Sequence, residues 1–379
     1  MTEPQKVAVF QNTITGGGRI RVVNEMIAVL NELGIAPDIY TFRVNPSFKK
    51  DKRLRFSIKK LPQFLRGFYE LKIVLLNYLM RSRSADYDLL INSNNSLLFL
   101  PRDISILTYI YFPREMRILT DYVSLAFPDR KLVQEKSFTY RFYRNSLRKL
   151  YSLRKYTANN TIVADSGFTK SMFLQAYPDC PADSVTVIYP PVDVKRWGNS
   201  APQRREEVTT LGRFNPEKRQ LEQIKIAEEF PELRFNIIGF IGDRESRRYF
   251  SLCQQYVAEK NIKNVRFFHN LPQEKTMEML HSAKYFMHNL RNEPFGLSTV
   301  EAVAAGCIPI VPNSGGQVEI VPFAELRFKN KEDAVAKLKG IEGLNMEKMK
   351  RDLVRNIAKF DSSYFRRNFK KMLLKFSTF

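Results

Sequence analysis

The sequence predicts an α/β protein with two domains, each built on a parallel sheet. Short apolar segments of strand length alternate with helix-like segments along the chain, as in βαβ units. The chain has 379 residues, which corresponds to two domains of ordinary size. The alternation is broken once, where Tyr-Pro-Pro at residues 189–191 is followed by a polar stretch at 198–203. We therefore expect one α/β unit on each side of residue 200.

The elements of the first unit follow from the spacing of apolar residues. A buried strand at residues 7–11 precedes a glycine run and an amphipathic helix whose apolar face includes Val22, Met26 and Leu30. Further strands are predicted at residues 38–42, 89–92, 104–110, 161–164 and 185–188. Two long helical regions are predicted at about 62–83 and 114–156.

The second unit repeats the pattern. Its predicted strands are residues 208–211, 234–238, 265–268, 285–288 and 308–311, each followed by a helix-like stretch. We predict a first domain at 1–195, a second domain at 205–358 and a C-terminal helix within 359–379.

Composition excludes several classes of protein. Hydrophobic residues make up 44% of the chain, with 16 Gly and 19 Pro, so neither a collagen-like nor a largely disordered chain is expected. The 3 cysteines include no C-x-x-C pair and cannot form a disulfide framework, which favours a reducing, cytoplasmic location. The first residues lack a signal-peptide pattern, and the longest apolar stretches fall short of the roughly 18 residues that span a bilayer. We expect a soluble chain.

Positive charge is concentrated in two segments. The formal net charge is +22, and residues 43–83 and 130–155 are strongly basic. Aromatic and basic side chains are interleaved in both, a pattern typical of helices that lie on an anionic membrane surface. The residues predicted to contact a membrane or acceptor are Arg66, Lys72, Arg144, Arg148, Lys149 and Lys155. A merely solvated basic face is the alternative.

Nucleic-acid binding is a second interpretation of the charge. A basic chain with aromatic residues among its Lys and Arg meets the electrostatic criterion. The sequence has no zinc-finger spacing, RNP-type string or recognisable helix-turn-helix, and this interpretation leaves residues 292–316 unexplained. No nucleic-acid partner is expected. No spacing of Cys, His, Asp and Glu suggests a metal site.

Residues 292–306 are the most informative stretch. They follow a predicted strand, and their apolar spacing predicts a helix that begins near Gly296 or Leu297. A helix start leaves backbone N–H groups unpaired and carries partial positive charge, which makes it an anion site. Glu301, one turn into the helix, can accept hydrogen bonds from ribose hydroxyls, and Glu293 in the preceding loop can face a sugar. An ordinary helix start with two solvated glutamates is the alternative.

The string resembles the signature of glycosyltransferase family 4, whose members are retaining, metal-independent nucleotide-sugar transferases. Glu293 and Glu301 stand in the setting Glu-Pro-Phe-Gly-Leu-Ser-x-x-Glu-Ala-x-Ala-x-Gly, and residues 309–321 match the family's next strand and glycine turn. The resemblance implies the GT-B fold, in which two Rossmann-like α/β/α domains face a cleft and the C-terminal helix crosses back to the first domain.

The resemblance also implies residue roles. Glu293 would contact the transferred sugar and Glu301 the nucleotide ribose, with backbone donors to the diphosphate at Phe295, Gly296 and Leu297. Flanking residues of the donor site would be Pro294 and Ser298. His288, on the strand before this loop, is either a ligand or a half-buried side chain with a structural role.

Two further motifs agree in order along the chain. Arg213 and Lys218 resemble the family's Arg and Lys pair, and a guanidinium with an ammonium five residues on can neutralise a leaving diphosphate. A surface cation pair is the alternative. Gly16, Gly17 and Gly18 resemble the glycine loop that faces the same diphosphate, although a tight turn explains them equally well.

The finest resemblance is to mannosyltransferases that extend dolichol-linked oligosaccharides on the cytoplasmic membrane face. Those enzymes carry His in a loop over the donor sugar where this chain has Tyr111, a replacement that keeps a hydroxyl but removes titration near neutrality. We predict transfer of a hexose from a nucleotide-sugar to a lipid-linked or membrane-associated glycan. The first choice of donor is GDP-mannose, which would transfer mannose. The alternative is a glucosyl- or N-acetylhexosaminyltransferase that uses a UDP-sugar with a polysaccharide or soluble acceptor. Neither a metal nor another cofactor is expected, and the catalytic candidates are Glu293, Arg213, Lys218 and Tyr111.

Overall fold

The computed structural model describes most of the chain. The described residues are 5–14, 17–44, 48, 54–61, 78, 80–81, 84–94, 97, 105–112, 116, 145–146, 148–149, 156, 158–198 and 204–376. They form two compact units. The first unit contains the described residues up to Pro191 and those from Ser362 onward, and the second contains Val192–Asp361.

The first unit is built on a parallel sheet. Its strands are β1 (Val7–Phe10), β2 (Thr13–Ile14), β3 (Asp38–Thr41), β4 (Arg43–Val44), β5 (Ser57–Lys60), β6 (Leu89–Asn92), β7 (Ile106–Ile110), β8 (Asn160–Ala164) and β9 (Val185–Val187). Seven of them pair in the order β5-β3-β1-β6-β7-β8-β9, every pair parallel, while β2 pairs with β4. Strands β1, β6 and β7 are buried throughout, as expected at the centre of a sheet covered on both faces.

The six strands predicted for this unit are confirmed as β1, β3, β6, β7, β8 and β9. Strand β5 and the β2–β4 pair were not predicted. The sequence of β5 is Ser-Ile-Lys-Lys, and three of its four side chains are exposed at the sheet edge. A polar edge strand has no apolar run by which it could be recognised.

Before residue 192, two α-helices of the first unit are described in full, α1 (Gly18–Glu32) and α2 (Gly167–Ala176). The predicted apolar face of α1 is confirmed, since Val22, Met26 and Leu30 are completely buried. Short 3-10 helices cover Ser84–Asp86 and Ala182–Ser184. The basic helices predicted at 62–83 and 114–156 lie almost entirely outside the described residues.

The second unit has a six-stranded parallel sheet. Its strands are β10 (Arg205–Arg213), β11 (Arg234–Phe240), β12 (Val265–His269), β13 (Ala283–Met287), β14 (Ile308–Pro312) and β15 (Arg327–Phe328). Their order is β12-β11-β10-β13-β14-β15, with every pair parallel. This is the strand order of a Rossmann sheet. Strands β10, β11 and β12 extend to one side and β13, β14 and β15 to the other, so the strand order reverses between β10 and β13. All five predicted strands are present, and only the two-residue β15 was missed.

Helices connect these strands. They are α3 (Val194–Trp197), α4 (Gln220–Ala227), α5 (Arg244–Glu259), α6 (Gln273–Ser282), α7 (Leu297–Ala304), α8 (Gln317–Ile320), α9 (Lys331–Gly340) and α10 (Met346–Ile357), with 3-10 helices at Pro216–Lys218, Ala324–Leu326, Ile341–Gly343 and Ala358–Phe360. Hydrogen bonds that cap the first turn explain where helix α5 begins. Asp243 accepts from the backbone N–H of Ser246 (2.7 Å), and the Ser246 hydroxyl accepts from the N–H of Asp243 (3.0 Å), a capping box.

The last helix, α11 (Ser362–Leu373), belongs to the first unit. It packs against α1, and Phe365 and Phe369 are buried in the core of that unit. The ring of Phe365 lies 6.1 Å from that of Tyr109 on β7. At the helix surface, Arg366 forms an ion pair with Glu25 on α1. The apolar contacts explain why a chain segment so distant in sequence joins this unit.

Candidate functional site

The predicted site residues of the second unit lie at the reversal point of its sheet. Strands β10 and β13 are neighbours, and Arg213 ends β10 while the segment containing Glu293 follows β13. In an open parallel α/β sheet, ligands bind at the carboxyl ends of the strands where the strand order reverses. The sheet thus brings together two motifs separated by about 75 residues.

The loop after β10 is fixed by local hydrogen bonds. Asn215 accepts from the N–H of Glu217 (2.8 Å), and proline follows at the first position of the 3-10 helix, where it loses no backbone bond. Gln220 donates its side-chain amide to the carbonyl of Arg213 (2.9 Å). The aliphatic part of Lys218 lies over Gly212. This loop holds the Lys218 ammonium at the carboxyl edge of the sheet.

The loop after β13 is braced by the glycine turn before α8. The N–H of Gly316 donates to the carbonyl of Glu293 (2.8 Å). Gly315 has a φ of +69°, and a Cβ at this position would lie 2.4 Å from that same carbonyl oxygen. Only glycine meets both requirements, so the turn predicted from the sequence serves to seat the backbone that carries Glu293.

The Glu293 carboxylate has two basic neighbours. Its Oε2 lies 2.6 Å from Nζ of Lys218 and 3.3 Å from Nε2 of His288, the second a long contact. Burial alone would raise the pKa of Glu293, but the Lys218 ammonium and the neighbouring His288 imidazole together hold it well below its ordinary value. Burial lowers the pKa of His288, and Lys218 lowers it further. At neutral pH the Glu293 carboxyl group is therefore ionised and the His288 imidazole is neutral.

A helix start adjoins this cluster, as predicted. Helix α7 begins at Leu297, directly after Gly296, whose φ is +117°. The first intrahelical bond is made by the N–H of Thr299 to the carbonyl of Gly296 (2.9 Å), so the N–H groups of Leu297 and Ser298 precede the helical ladder. Such a start attracts anions.

The remaining predicted donor residues occupy the same helix start. Phe295 is buried and packs edge-on against Phe360 at 5.1 Å, which anchors the segment. Pro294 is partly buried beside it. Glu301, on the second turn of α7, is only 4% exposed.

The first unit contributes a separate polar edge at the carboxyl ends of β1, β6 and β7. Tyr111 follows β7, shares a hydrogen bond with Ser93 (2.9 Å) and has the Arg19 guanidinium 5.8 Å from its ring centre. Burial raises the pKa of Tyr111, despite the Ser93 hydrogen bond and the Arg19 charge. Gly17 has a φ of +87° and Gly18 begins α1, whereas Gly16 lies outside the described residues.

Three polar side chains at this edge were not predicted as site residues. Gln11, Asn12 and Asn94 follow β1 and β6, and the N–H of Asn12 donates to the side-chain oxygen of Asn94 (2.5 Å). Within the described residues, each retains a buried polar atom without a hydrogen-bond partner: Oε1 of Gln11, Oδ1 of Asn12 and Nδ2 of Asn94. Their position directly after two predicted central strands was the available signal.

The basic residues predicted to face a membrane are only partly described. Arg148 and Lys149 are exposed, while Arg66, Lys72, Arg144 and Lys155 lie outside the described residues. Across the part of the chain that is described, no helix combines the length and apolarity needed to cross a bilayer. The same part contains no group of three or more His, Cys, Asp or Glu side chains arranged to hold a metal ion.

Comparison with known proteins shows which families and proteins this chain is similar to. Residues 192–360 match the family model "Glycosyl transferases group 1". The chain is 30% identical over 174 residues to a GDP-Man:Man(3)GlcNAc(2)-PP-Dol alpha-1,2-mannosyltransferase of Xenopus laevis, covering 42% of this chain and 35% of the relative. It is 22% identical over 239 residues to the human alpha-1,3/1,6-mannosyltransferase ALG2, covering 57% of each. The chain thus spans between about a third and somewhat over half of these relatives.

Solved structures extend the likeness to the whole fold. Anabaena HepE, crystallised with UDP and glucose, superposes with a TM-score of 0.69 at 15% identity, covering 98% of this chain and 100% of that one. The predicted fold class, two Rossmann-like domains of the GT-B type with parallel sheets, is confirmed.

Proposed function

We propose that this chain is a glycosyltransferase that transfers a hexose from a nucleotide-diphosphate sugar with retention of configuration. The observation that carries the proposal is the Glu293 carboxylate, paired with Lys218 and His288 and adjoining the start of α7, at the reversal point of the second sheet. The match of residues 192–360 to the group 1 family model supports it.

In this proposal each group acts on a different part of the donor. The diphosphate lies against the N–H groups at residues 295–297 and is neutralised by Arg213 and Lys218. Glu293 accepts hydrogen bonds from the sugar, and Glu301 from the ribose. Both described contacts of the Glu293 carboxylate fall on Oε2, which leaves Oε1 for a sugar hydroxyl.

Catalysis then comes mainly from stabilising the charge of the departing diphosphate. The leaving phosphate itself takes the proton of the acceptor hydroxyl, on the same face of the sugar from which it departs. The arrangement needs neither a separate nucleophile nor a metal ion.

Donor and acceptor are proposed from the relatives. Mannose from GDP-mannose and a lipid-linked glycan are the first choice, because the two curated relatives are named as mannosyltransferases and one name specifies a dolichol-diphosphate substrate. A UDP-linked glucose or N-acetylhexosamine is the alternative. The direct test is thermal stabilisation of the protein by GDP-, UDP- and ADP-sugars. A shift for one nucleotide names the donor base, and no shift with any of them contradicts the proposal.

Turnover tests the assigned residues. Replacing Glu293, Arg213 or Lys218 by Ala removes a charge-assisted contact and is expected to lower turnover by about 10- to 100-fold. Lys275→Ala is the control, because Lys275 is exposed on α6 and its described ion pair is with the exposed Glu278. Unchanged turnover in all three site variants contradicts the assignment.

We further propose that the chain works at an anionic membrane on its cytosolic face, held there by the two basic segments. Binding to vesicles that contain anionic lipid should fall with salt. Charge reversal of Arg144, Arg148, Lys149 and Lys155 to Glu should abolish it.

A matched control reverses four exposed basic residues of the second unit, Arg247, Arg248, Lys260 and Lys275. It lowers the net charge equally but should leave vesicle binding largely intact. Equal loss in both variants would show that net charge alone drives the association.

A further inference from the structure

Gln317 is a buried side chain beside the carboxylate cluster that the sequence did not single out. It is the first residue of α8, directly after the glycine turn, and is completely buried. Its amide lies against Gly296, where an added Cβ would meet the Gln317 amide atoms at 2.9–3.0 Å. The amide nitrogen is 3.3 Å from Nδ1 of His288. Gln317 thus fills the space between the start of α7 and the imidazole.

This contact determines which imidazole nitrogen carries the proton. An amide nitrogen only donates, so Nδ1 of His288 must be the acceptor, and the proton of the neutral imidazole is on Nε2. That leaves the N–H on Nε2, the nitrogen that lies 3.3 Å from Oε2 of Glu293, although among the described residues the two atoms do not meet hydrogen-bond geometry. If the amide were flipped, Nδ1 would carry the proton and the Nε2 lone pair would face the carboxylate, which is repulsive. The charged groups that face the imidazole are Glu293 and Lys218.

We infer that Gln317 is a positioning residue: it holds the His288 imidazole in the Nε2–H tautomer and keeps this ring in place beside the Glu293 carboxylate. The inference rests on the proposed function for its catalytic consequence, while the tautomer itself is independent of any activity. Among the described residues no hydrogen bond joins Gln317 to Glu293, so its effect on the carboxylate would pass through the imidazole.

The tautomer can be measured directly by NMR of protein labelled with ¹⁵N-histidine. The chain has only 3 histidines, and His281 provides an internal reference because its Nε2 lies 2.9 Å from the carbonyl of Trp197 and must donate to it. We expect His288 to show the same Nε2–H pattern in the wild type and a mixed or reversed pattern in Gln317→Leu. An Nδ1–H pattern or a charged imidazole in the wild type overturns the inference, whatever the activity.

Turnover variants test the catalytic consequence. Gln317→Leu should lower kcat by about 2- to 10-fold, the effect of losing one neutral hydrogen bond that orients the imidazole. Gln223→Leu is the control, since Gln223 is equally buried in the same unit and no hydrogen bond from it to His288 or Glu293 is described. Equal losses of kcat in both variants contradict a positioning role.

Gln317→Glu should give turnover a dependence on pH that would not arise if Gln317 had only a structural role. With carboxylates on both sides, His288 takes up a second proton and its pKa rises, so turnover should fall as the pH rises through that raised pKa. In the wild type, titration of His288 should not affect turnover near neutral pH, because the pKa of His288 is lowered. A flat profile in Gln317→Glu overturns the inference. No turnover by wild type with any donor refutes the proposed function, and the NMR result still decides the tautomer.

Discussion

The Lys218–Glu293 pair should behave as a buried ion pair, so that replacing one partner alone lowers the free energy of unfolding more than replacing both. Its atoms are 2.6 Å apart, and the two side chains are 24% and 17% exposed. At an effective dielectric constant of about 20, unit charges at this separation attract by roughly 6 kcal/mol, and desolvation offsets part of that. Removing one partner of a buried pair costs about 3–5 kcal/mol, and the residual exposure favours the lower end, about 3 kcal/mol, for Lys218→Met.

Calorimetry at pH 7 can measure this cost. For a unit of this size, each kcal/mol lowers Tm by about 2–4 °C, so Lys218→Met should lose about 6–12 °C. The double variant Lys218→Met/Glu293→Gln should recover most of the loss, because no unpaired charge remains buried. Lys275→Met is the matched control. The Lys275–Glu278 pair has nearly the same length, 2.7 Å, but both side chains are more than 60% exposed, so it should change stability by about 0.5 kcal/mol or less.

The pH dependence provides a second check. Glu293 has a lowered folded-state pKa, so its contribution to stability is complete above its unfolded pKa of about 4.3 and is lost as the pH falls toward the folded value. In Lys218→Met the carboxyl group can take up a proton instead, so the deficit relative to wild type should shrink on acidification. A Tm unchanged by Lys218→Met, or a double variant as unstable as the single one, would refute this account.

Three further predictions concern other features. Gly315→Ala should lower both Tm and turnover, because its Cβ would lie 2.4 Å from the Glu293 carbonyl at a φ of +69°; an alanine variant with normal turnover would show that the turn does not seat this loop. Burial raises the pKa of Cys307 and of Cys253 to about 12 and that of Cys180 to about 11, so alkylation at pH 8 should be slow until denaturant is added, and rapid labelling of native protein would contradict it. Turnover should be the same with Mg²⁺ as with excess EDTA, and a requirement for Mg²⁺ would contradict the proposed metal-independent mechanism.

Local spacing in the sequence determined much of this protein. Apolar runs located the central strands. The prediction of the apolar face of α1 was correct because the apolar positions of a helix recur every three to four residues. The start of α7 at Leu297 was also predictable, since glycine and the following apolar spacing lie within one short segment. Elements without such runs were missed. Strand β5 is polar at a sheet edge, and β2 and β4 are two residues each.

Tertiary structure decided which distant residues meet. The contact of Lys218 with Glu293 joins residues 75 apart, and the approach of Gln317 to His288 joins residues 29 apart. Neither follows from spacing, because both depend on which strands are neighbours and how their ends align. The order β12-β11-β10-β13-β14-β15 sets β10 beside β13, and so brings their two loops to one edge. The sequence alone thus determined which side chains each loop carries, while the parallel sheet determined that a carboxylate, an ammonium and an imidazole would share one site.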